Sequence, residues 1–224
     1  DQQKKIESNI TNSITEKVTK KQKNYNHDMT SGPILIKLLK FSIPLILSSI
    51  LQLLFNAADI VVVGRFAGDA SLAAVGSTSS LINLLVNLFI GLSVGTNVVA
   101  ANFFGANKKN ELRATIHTAM LLSIYSGLFL TIIGVFGAKH ILVLMQTPPE
   151  VLPLATLYLQ VYFAGMIAMM VYNFGSAILR AKGDTKRPLY YLLFAGVINV
   201  VLNLIFVISF HMGVAGVALA TVIS

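Results

Sequence analysis

The sequence predicts an all-α protein that crosses a membrane several times. Of its 224 residues, 55% are hydrophobic and only 12% are charged, and the mean hydropathy is +0.74. A soluble domain carries about twice that charged fraction. The apolar residues, mainly Leu, Ile, Val and Ala, form several runs of about 20 residues or more, which is the length a helix needs to cross a bilayer.

Two regions follow from this pattern. Residues 1–33 are rich in Lys, Asn, Gln, Ser and Thr, and we expect them to form a disordered polar leader. Residues 34–224 are expected to form a transmembrane lobe of six helices. The predicted spans cover residues 34–63, 72–101, 114–136, 151–180 and 189–210, and a sixth, about half built, covers 214–224.

The basic residues indicate how the spans are oriented. Fifteen of the 17 Lys and Arg residues fall in the leader, at the start of the first span, or in the connections after the second and fourth spans. Only Arg65 and Lys139 fall on the other side. Because Lys and Arg accumulate in cytoplasmic loops, the N-terminus of this multi-pass cell-membrane protein is predicted to be cytoplasmic. The net charge of +8 then reflects topology, and no nucleic-acid partner is expected.

The composition also argues against an enzyme. The chain has no cysteine, which excludes disulfides, thiolate metal sites and cysteine nucleophiles. There is no Walker loop, no arrangement of Ser, His and Asp that suggests a triad, and no metal-ligand spacing among the four histidines. We therefore expect neither enzymatic activity nor a bound cofactor.

One acidic residue lies deep inside an apolar run. It is Asp59, whereas the other eight acidic residues lie in the leader or in the connections. A carboxylate in hydrocarbon costs several kcal/mol unless it faces a cavity, pairs, binds a cation or takes up a proton. Asp59 follows Phe41 by 18 residues, or about 27 Å along a helix, which places it in the outer half of the membrane. Pro44 lies in the same span and predicts a bend there.

Two pairs of asparagines are each spaced by one helical turn. Asn199 and Asn203 share a face of the fifth span. With Asp59 they could supply oxygens to a small cation or hold a proton, or they could instead form hydrogen bonds between helices. Asn83 and Asn87 share a face of the second span, and we expect that face to look inward.

Several of these residues belong to motifs that resemble a known family. The motifs are P-x14-D-x4-G-R-x2-G (Pro44, Asp59, Gly64, Arg65 and Gly68), LAAVG (72–76), LRAKGDTKRP (179–188) and INVVLNLIF (198–206). Together and in this order, over residues 34–224, they resemble the multidrug and toxic compound extrusion (MATE) transporters. The pattern is most similar to the prokaryotic branch that includes the DinF-like members.

The resemblance implies a secondary antiporter. Such transporters have twelve helices in two six-helix lobes, and they export cationic or amphipathic compounds in exchange for Na⁺ or H⁺. The chain would be the N-terminal lobe, truncated within its sixth helix. Its partners would be the C-terminal lobe of the same protein, a small-molecule substrate and the lipid bilayer, and the coupling ion would be transported rather than held as a cofactor.

The resemblance also assigns roles to individual residues. The coupling-ion residues correspond here to Asp59, Asn199, Asn203 and Thr221. Asn203 departs from the DinF-like pattern, because that branch has a carboxylate where this chain has an amide, and the site would therefore have one titratable group. Gln52 and Asn173 are implied as lining residues of a substrate cavity.

Two other functions are compatible with the spans. A flippase of lipid-linked saccharides shares the distant architecture, but such proteins tend to place arginines or lysines in a central cavity, and we expect no basic residue inside the first five spans. A membrane scaffold subunit that transports nothing itself is the other alternative. It predicts that the intramembrane polar residues tolerate apolar replacement.

Overall fold

The protein is a bundle of helices over the part that the computed structural model describes, residues 34–224. The helices are α1 (Ile34–Phe66), α2 (Asp69–Gly105), α3 (Lys109–Leu144), α4 (Leu152–Ala164), α5 (Met166–Ala181), α6 (Lys186–Leu204) and α7 (Gly213–Ile223), with a π-helical turn (Ile205–Ser209) after α6. Over that range there is no strand, and the all-α class is confirmed. The predicted leader, residues 1–33, lies outside the described residues.

The described helices include several that are long and apolar enough to cross a membrane. These are α1, α2, α3, and α6 together with its π-helical turn. A fifth span results if α4 and α5 are counted as one bent pair. The seventh helix, α7, is apolar but has only 11 residues.

The connections between spans are shorter than the sequence predicts. We expected residues 102–113, between the second and third predicted spans, to form a polar loop. This prediction is wrong for most of these residues, because α2 continues to Gly105 and α3 already begins at Lys109. Likewise α3 continues to Leu144, although we expected its span to end at 136. Polar residues do not end a helix by themselves when they extend beyond the hydrocarbon into the headgroup region.

The fourth span is not the single helix that was predicted over 151–180. It breaks at Gly165, and the two halves, α4 and α5, meet at an angle of 50°. Glycine is the least costly residue for this position because a Cβ at Gly165 would lie 2.6 Å from a methyl of Val222 on α7. The break is stabilised by Thr131 of α3, whose hydroxyl donates a hydrogen bond of 2.9 Å to the Phe163 carbonyl.

Pro44 lies inside a helix that continues through it without interruption. The hydroxyl of Ser48 donates a hydrogen bond of 2.8 Å to the Pro44 carbonyl. The 50° break within a predicted span is at Gly165 and not in α1. A bend at Pro44 therefore stays a prediction.

The helices pack as two unequal groups. α2, α3, α4 and α5 share the buried core, where the largest fully buried side chains include Phe163, Phe174, Leu130 and Met170. α1 packs mainly along α6, and α7 contacts both groups. α1 contributes little besides Val62 and Val63 to the core, so its position depends mainly on its packing along α6.

The second helix does not orient its amides as predicted. Asn83 and Asn87 are exposed on the surface of the lobe, so the expectation that their face looks into the lobe is wrong. Asn97 on the same helix does point inward, and its amide donates a hydrogen bond of 2.7 Å to the Ala177 carbonyl of α5. Amides that bond across helices in this way fix helix positions where water is absent.

The closest backbone approach in the core generates a prediction. A Cβ at Gly127 of α3 would lie 2.5 Å from the Cα of Ile167 in α5, so Gly127→Ala forces the backbones apart. We expect it to destabilise the protein by about 1–3 kcal/mol, measured as thermal unfolding in detergent. Gly137→Ala is the matched control because its Cβ would meet only side-chain atoms, at 3.5 Å or more. Equal stability of the two variants would contradict this packing.

Candidate functional site

The structure brings Asp59 and Asn203 into direct contact. The Asn203 side-chain amide donates a hydrogen bond to the Asp59 carboxylate, and so joins α1 to α6. Asn203 is fully buried, and Asp59 is partly buried. No basic side chain of the described residues pairs with Asp59, so its carboxylate is held by an amide and not by a cation.

The contact continues as a chain of hydrogen bonds toward α7. The Asn203 amide also donates to Asn199 Oδ1, at 3.1 Å. The Asn199 amide donates to the Thr221 hydroxyl, at 3.3 Å, and that hydroxyl donates to the Val217 carbonyl of its own helix, at 3.0 Å. The structure thus places Asp59, Asn199, Asn203 and Thr221 in one hydrogen-bond network.

One acceptor in this network has no donor. Asn203 Oδ1 is buried and accepts no hydrogen bond from the described residues. A buried carbonyl oxygen without a partner costs about 1–3 kcal/mol. It therefore marks a position where a proton-bearing group or a cation would be stabilised.

Two tyrosines of α4 complete the surroundings. The rings of Tyr158 and Tyr162 stack with centroids 6.0 Å apart, and both lie within electrostatic range of the Asp59 carboxylate. Sequence reasoning did not place them at the site. Their spacing of one helical turn, which puts both on one face, is the signal that could have found them.

The position of α1 beside the network depends on a glycine. A Cβ at Gly196 of α6 would overlap the ring of Phe55 of α1. Gly196, Asn199 and Asn203 follow one another at spacings of three and four residues and so share a face of α6. The absence of a side chain at Gly196 lets the Phe55 ring pack directly against α6, and Phe55 precedes Asp59 by one helical turn.

A separate cavity lies between α1, α2, α5 and α6. It has a volume of about 380 Å³, and both Gln52 and Asn173 line it. Asp59 does not line it, and Gln52 precedes Asp59 by about 10 Å along α1. The two sets of residues that the sequence singled out are therefore in different places.

The cavity also contains a residue that sequence reasoning missed. Arg180, the next-to-last residue of α5, lines it. The expectation that no basic residue lies inside the first five spans is wrong in this respect. Arg180 was counted among the charges of the basic connection although it is the last residue of the predicted span 151–180, and the structure places it in the last turn of α5.

Comparison with known proteins decides the family. A family model described as MatE matches residues 44–205.

The chain belongs to the MATE family.

Individual relatives agree with this assignment. The chain is 33% identical over 198 residues to the probable multidrug resistance protein YpnP of Bacillus subtilis, which covers 88% of this chain and 44% of YpnP. It is 25% identical over 183 residues to the DNA damage-inducible protein F of Escherichia coli, covering 82% and 40% of the two chains. A MATE family transporter solved in an outward-facing conformation superimposes with a TM-score of 0.79 at 31% identity, over 84% of this chain and 41% of that one.

These matches define what part of a MATE protein the chain represents. It spans about two fifths of the length of the proteins it matches and corresponds to the N-terminal lobe. The family consists of multi-pass membrane transporters and not of enzymes.

The Phe55–Gly196 contact generates a prediction. Gly196→Ala pushes the Phe55 ring away from α6 and should cost about 1–3 kcal/mol of stability. Phe55→Ala removes the ring, so the double variant should lose clearly less stability than the sum of the two single variants. Unfolding in detergent measures all three, and Gly175→Ala, whose Cβ would meet its nearest atom at 3.8 Å, is the control. Additive losses would show that the two residues do not touch.

Proposed function

We propose that the chain is the N-terminal lobe of a secondary antiporter that exports cationic or amphipathic toxic compounds in exchange for Na⁺ or H⁺. Asp59 is the group that takes up the coupling ion. The protein lies in the cell membrane with its N-terminus in the cytoplasm. The names of two relatives support export: they are the probable multidrug resistance proteins YpnP of Bacillus subtilis and NorM of Thermotoga maritima.

The observation that carries this proposal is the hydrogen bond from the Asn203 amide to the Asp59 carboxylate, together with the buried Asn203 Oδ1, which accepts no hydrogen bond from residues 34–224. Both groups are oxygen acceptors inside an apolar helix pair. A proton or a cation in the gap between these two side chains would be stabilised by both of them.

A proton fits this gap. A protonated Asp59 can donate its O–H to Asn203 Oδ1 while it accepts from the Asn203 amide, so that acid and amide form two hydrogen bonds side by side. Proton binding then converts an intramembrane charge into a fully bonded neutral pair.

Sodium also fits the gap. It would be bound by the Asp59 carboxylate with the amide oxygens of Asn203 and Asn199 and the Thr221 hydroxyl. Oxygen atoms of these types are the ligands that hard cations prefer. Because Asn203 is an amide, both versions use a single titratable carboxylate, and they are distinguished by which gradient drives export.

Ion binding is coupled to substrate through α1. This helix carries Asp59 toward its outer end and Gln52 in the cavity, and it packs mainly along α6. Loading Asp59 changes the attraction between α1 and Asn203, and Pro44 gives α1 a weak point closer to the cytoplasm. A shift of α1 then changes the shape of the cavity that Gln52 and Asn173 line, as alternating access requires.

The first prediction concerns the carboxylate itself. Asp59→Asn in the full-length protein should abolish ion-driven export of a cationic dye from vesicles, because the amide can bind neither a proton nor a cation with a negative charge. Na⁺ and H⁺ gradients are imposed separately, and the wild type should respond to the one it couples to. Asp69→Asn, an exposed carboxylate at the start of α2, is the control and should export normally. Gradient-driven export by Asp59→Asn would refute the proposal.

The second prediction separates this function from a scaffold without transport. Asn203→Leu removes the donor and the acceptor that face Asp59, and should reduce export at least about tenfold, as expected from the loss of a hydrogen bond to a charged group. Asn83→Leu makes the same chemical change at an exposed position of α2 and should leave export within about twofold of the wild type. If both variants transport equally well, the polar network has no role in coupling.

A further inference from the structure

The cavity between α1, α2, α5 and α6 has the opposite polarity to the Asp59 site. Arg180 is the one charged side chain among its lining residues, and neither Asp nor Glu lines it. The polar lining residues besides Arg180 are neutral amides, hydroxyls and one phenol. A cationic ligand would therefore meet a positive charge and no negative one.

Arg180 has donors to spare. Its Nε donates a hydrogen bond of 3.2 Å to the Ser176 carbonyl one turn earlier in α5. Its terminal amino groups have no partner among residues 34–224. The nearest carboxylate along the chain, Asp184, is paired with Arg187, at 3.0 Å. A guanidinium that lines a partly enclosed space can bind phosphate or carboxylate through two parallel hydrogen bonds.

The surroundings favour an anion that carries an apolar body. The Tyr172 phenol lies in electrostatic range of Arg180. Its hydroxyl donates a hydrogen bond of 3.2 Å to the Pro188 carbonyl of α6, which fixes the position of the Tyr172 ring in the lining of the cavity. Phe41, Leu45 and Leu192 provide apolar lining. The lining thus combines seven apolar residues with eight polar or charged ones, which suits an amphiphile that has both an apolar body and a polar group.

The other basic side chains near the C-terminal end of α5 do not line the cavity. Lys182, Lys186 and Arg187 follow Arg180 in the chain, and none of them lines it. Arg180 is therefore set apart from the basic cluster that accounts for membrane orientation. Basic pockets between transmembrane helices on the cytoplasmic side are a known setting for anionic headgroups.

We propose that this cavity binds the phosphate or carboxylate group of an anionic amphiphile through Arg180. The inference rests on the proposed function, in which the same cavity receives the substrate, and among the compounds named there it selects amphipathic anions over cations. A membrane phospholipid and a free amphipathic anion share this chemistry, and the experiment distinguishes them.

Binding is measured on the purified full-length protein in detergent with no gradient. The probes are phosphatidylglycerol with a fluorescent tail, diacylglycerol with the same tail, fluorescein, and fluorescein methyl ester. The variants are Arg180→Gln, Arg180→Lys and, as a matched control, Arg113→Gln, an exposed arginine near the start of α3 that is on the same predicted side and does not line the cavity. Size-exclusion profiles verify that each variant is folded.

We expect Arg180→Gln to weaken binding of an anionic probe about tenfold or more, as loss of a charge-assisted hydrogen bond implies. Binding of the uncharged counterpart should not change. Arg180→Lys should retain part of the affinity, and Arg113→Gln should match the wild type. An effect confined to phosphatidylglycerol identifies the ligand as a membrane lipid, and an effect on fluorescein identifies a free anion.

Two results would overturn the proposal. One is that Arg180→Gln binds the anionic probes as tightly as the wild type, and the other is that it loses charged and uncharged probes equally. Asp69→Asn, at an exposed carboxylate that does not line the cavity, should bind the anionic probes as the wild type does. The binding assay uses no gradient, so loss of gradient-driven export in Asp59→Asn tests the coupling proposal alone, and loss of anion binding in Arg180→Gln tests the anion proposal alone.

Discussion

The contact between the Asp59 carboxylate and the Asn203 amide is the interaction on which the arrangement of this lobe depends. It joins α1, which shares little of the buried core, to α6 at the point where an apolar helix carries a negative charge. An amide satisfies such a carboxylate only in part, because it supplies hydrogen bonds without a compensating charge. The bond between Asn203 and Asp59 is therefore one of the contacts that hold α1 against α6, and it is the one that involves a charged group.

Much of this arrangement could be predicted from the sequence, because the relevant signals are local. Asp59 stands out as the one acid deep in an apolar run, and Asn199 and Asn203 lie one turn apart, so helical geometry alone puts them on one face. The membrane spans follow from hydropathy for the same reason. Periodicity could not predict that these residues join Thr221 in one network, because this depends on how α1, α6 and α7 pack. The resemblance to a family supplied that information.

The remaining features depend on contacts between segments distant in sequence, and periodicity does not report them. In the sequence, Gly165 is one glycine within an apolar run and does not indicate a helix break. The break becomes clear only in the structure, where Val222 packs against Gly165 and Thr131 bonds to the Phe163 carbonyl. Asn83 and Asn87 have the spacing of an inward face, yet they are exposed because no described helix covers that side of α2. Arg180 was read as the start of a loop, since hydropathy ends a span where the chain becomes polar and cannot tell whether the last side chain turns toward lipid or toward a cavity.

The break at Gly165 divides one predicted membrane crossing between the two sites. Tyr158 and Tyr162, which lie in electrostatic range of Asp59, are on α4, whereas Tyr172, Asn173 and Arg180, which line the cavity, are on α5. No residue of α4 lines the cavity, so the two sites use opposite sides of the break. Val222 packs against Gly165 and the Thr131 hydroxyl bonds to the Phe163 carbonyl, so the two residues that hold the break belong to neither site.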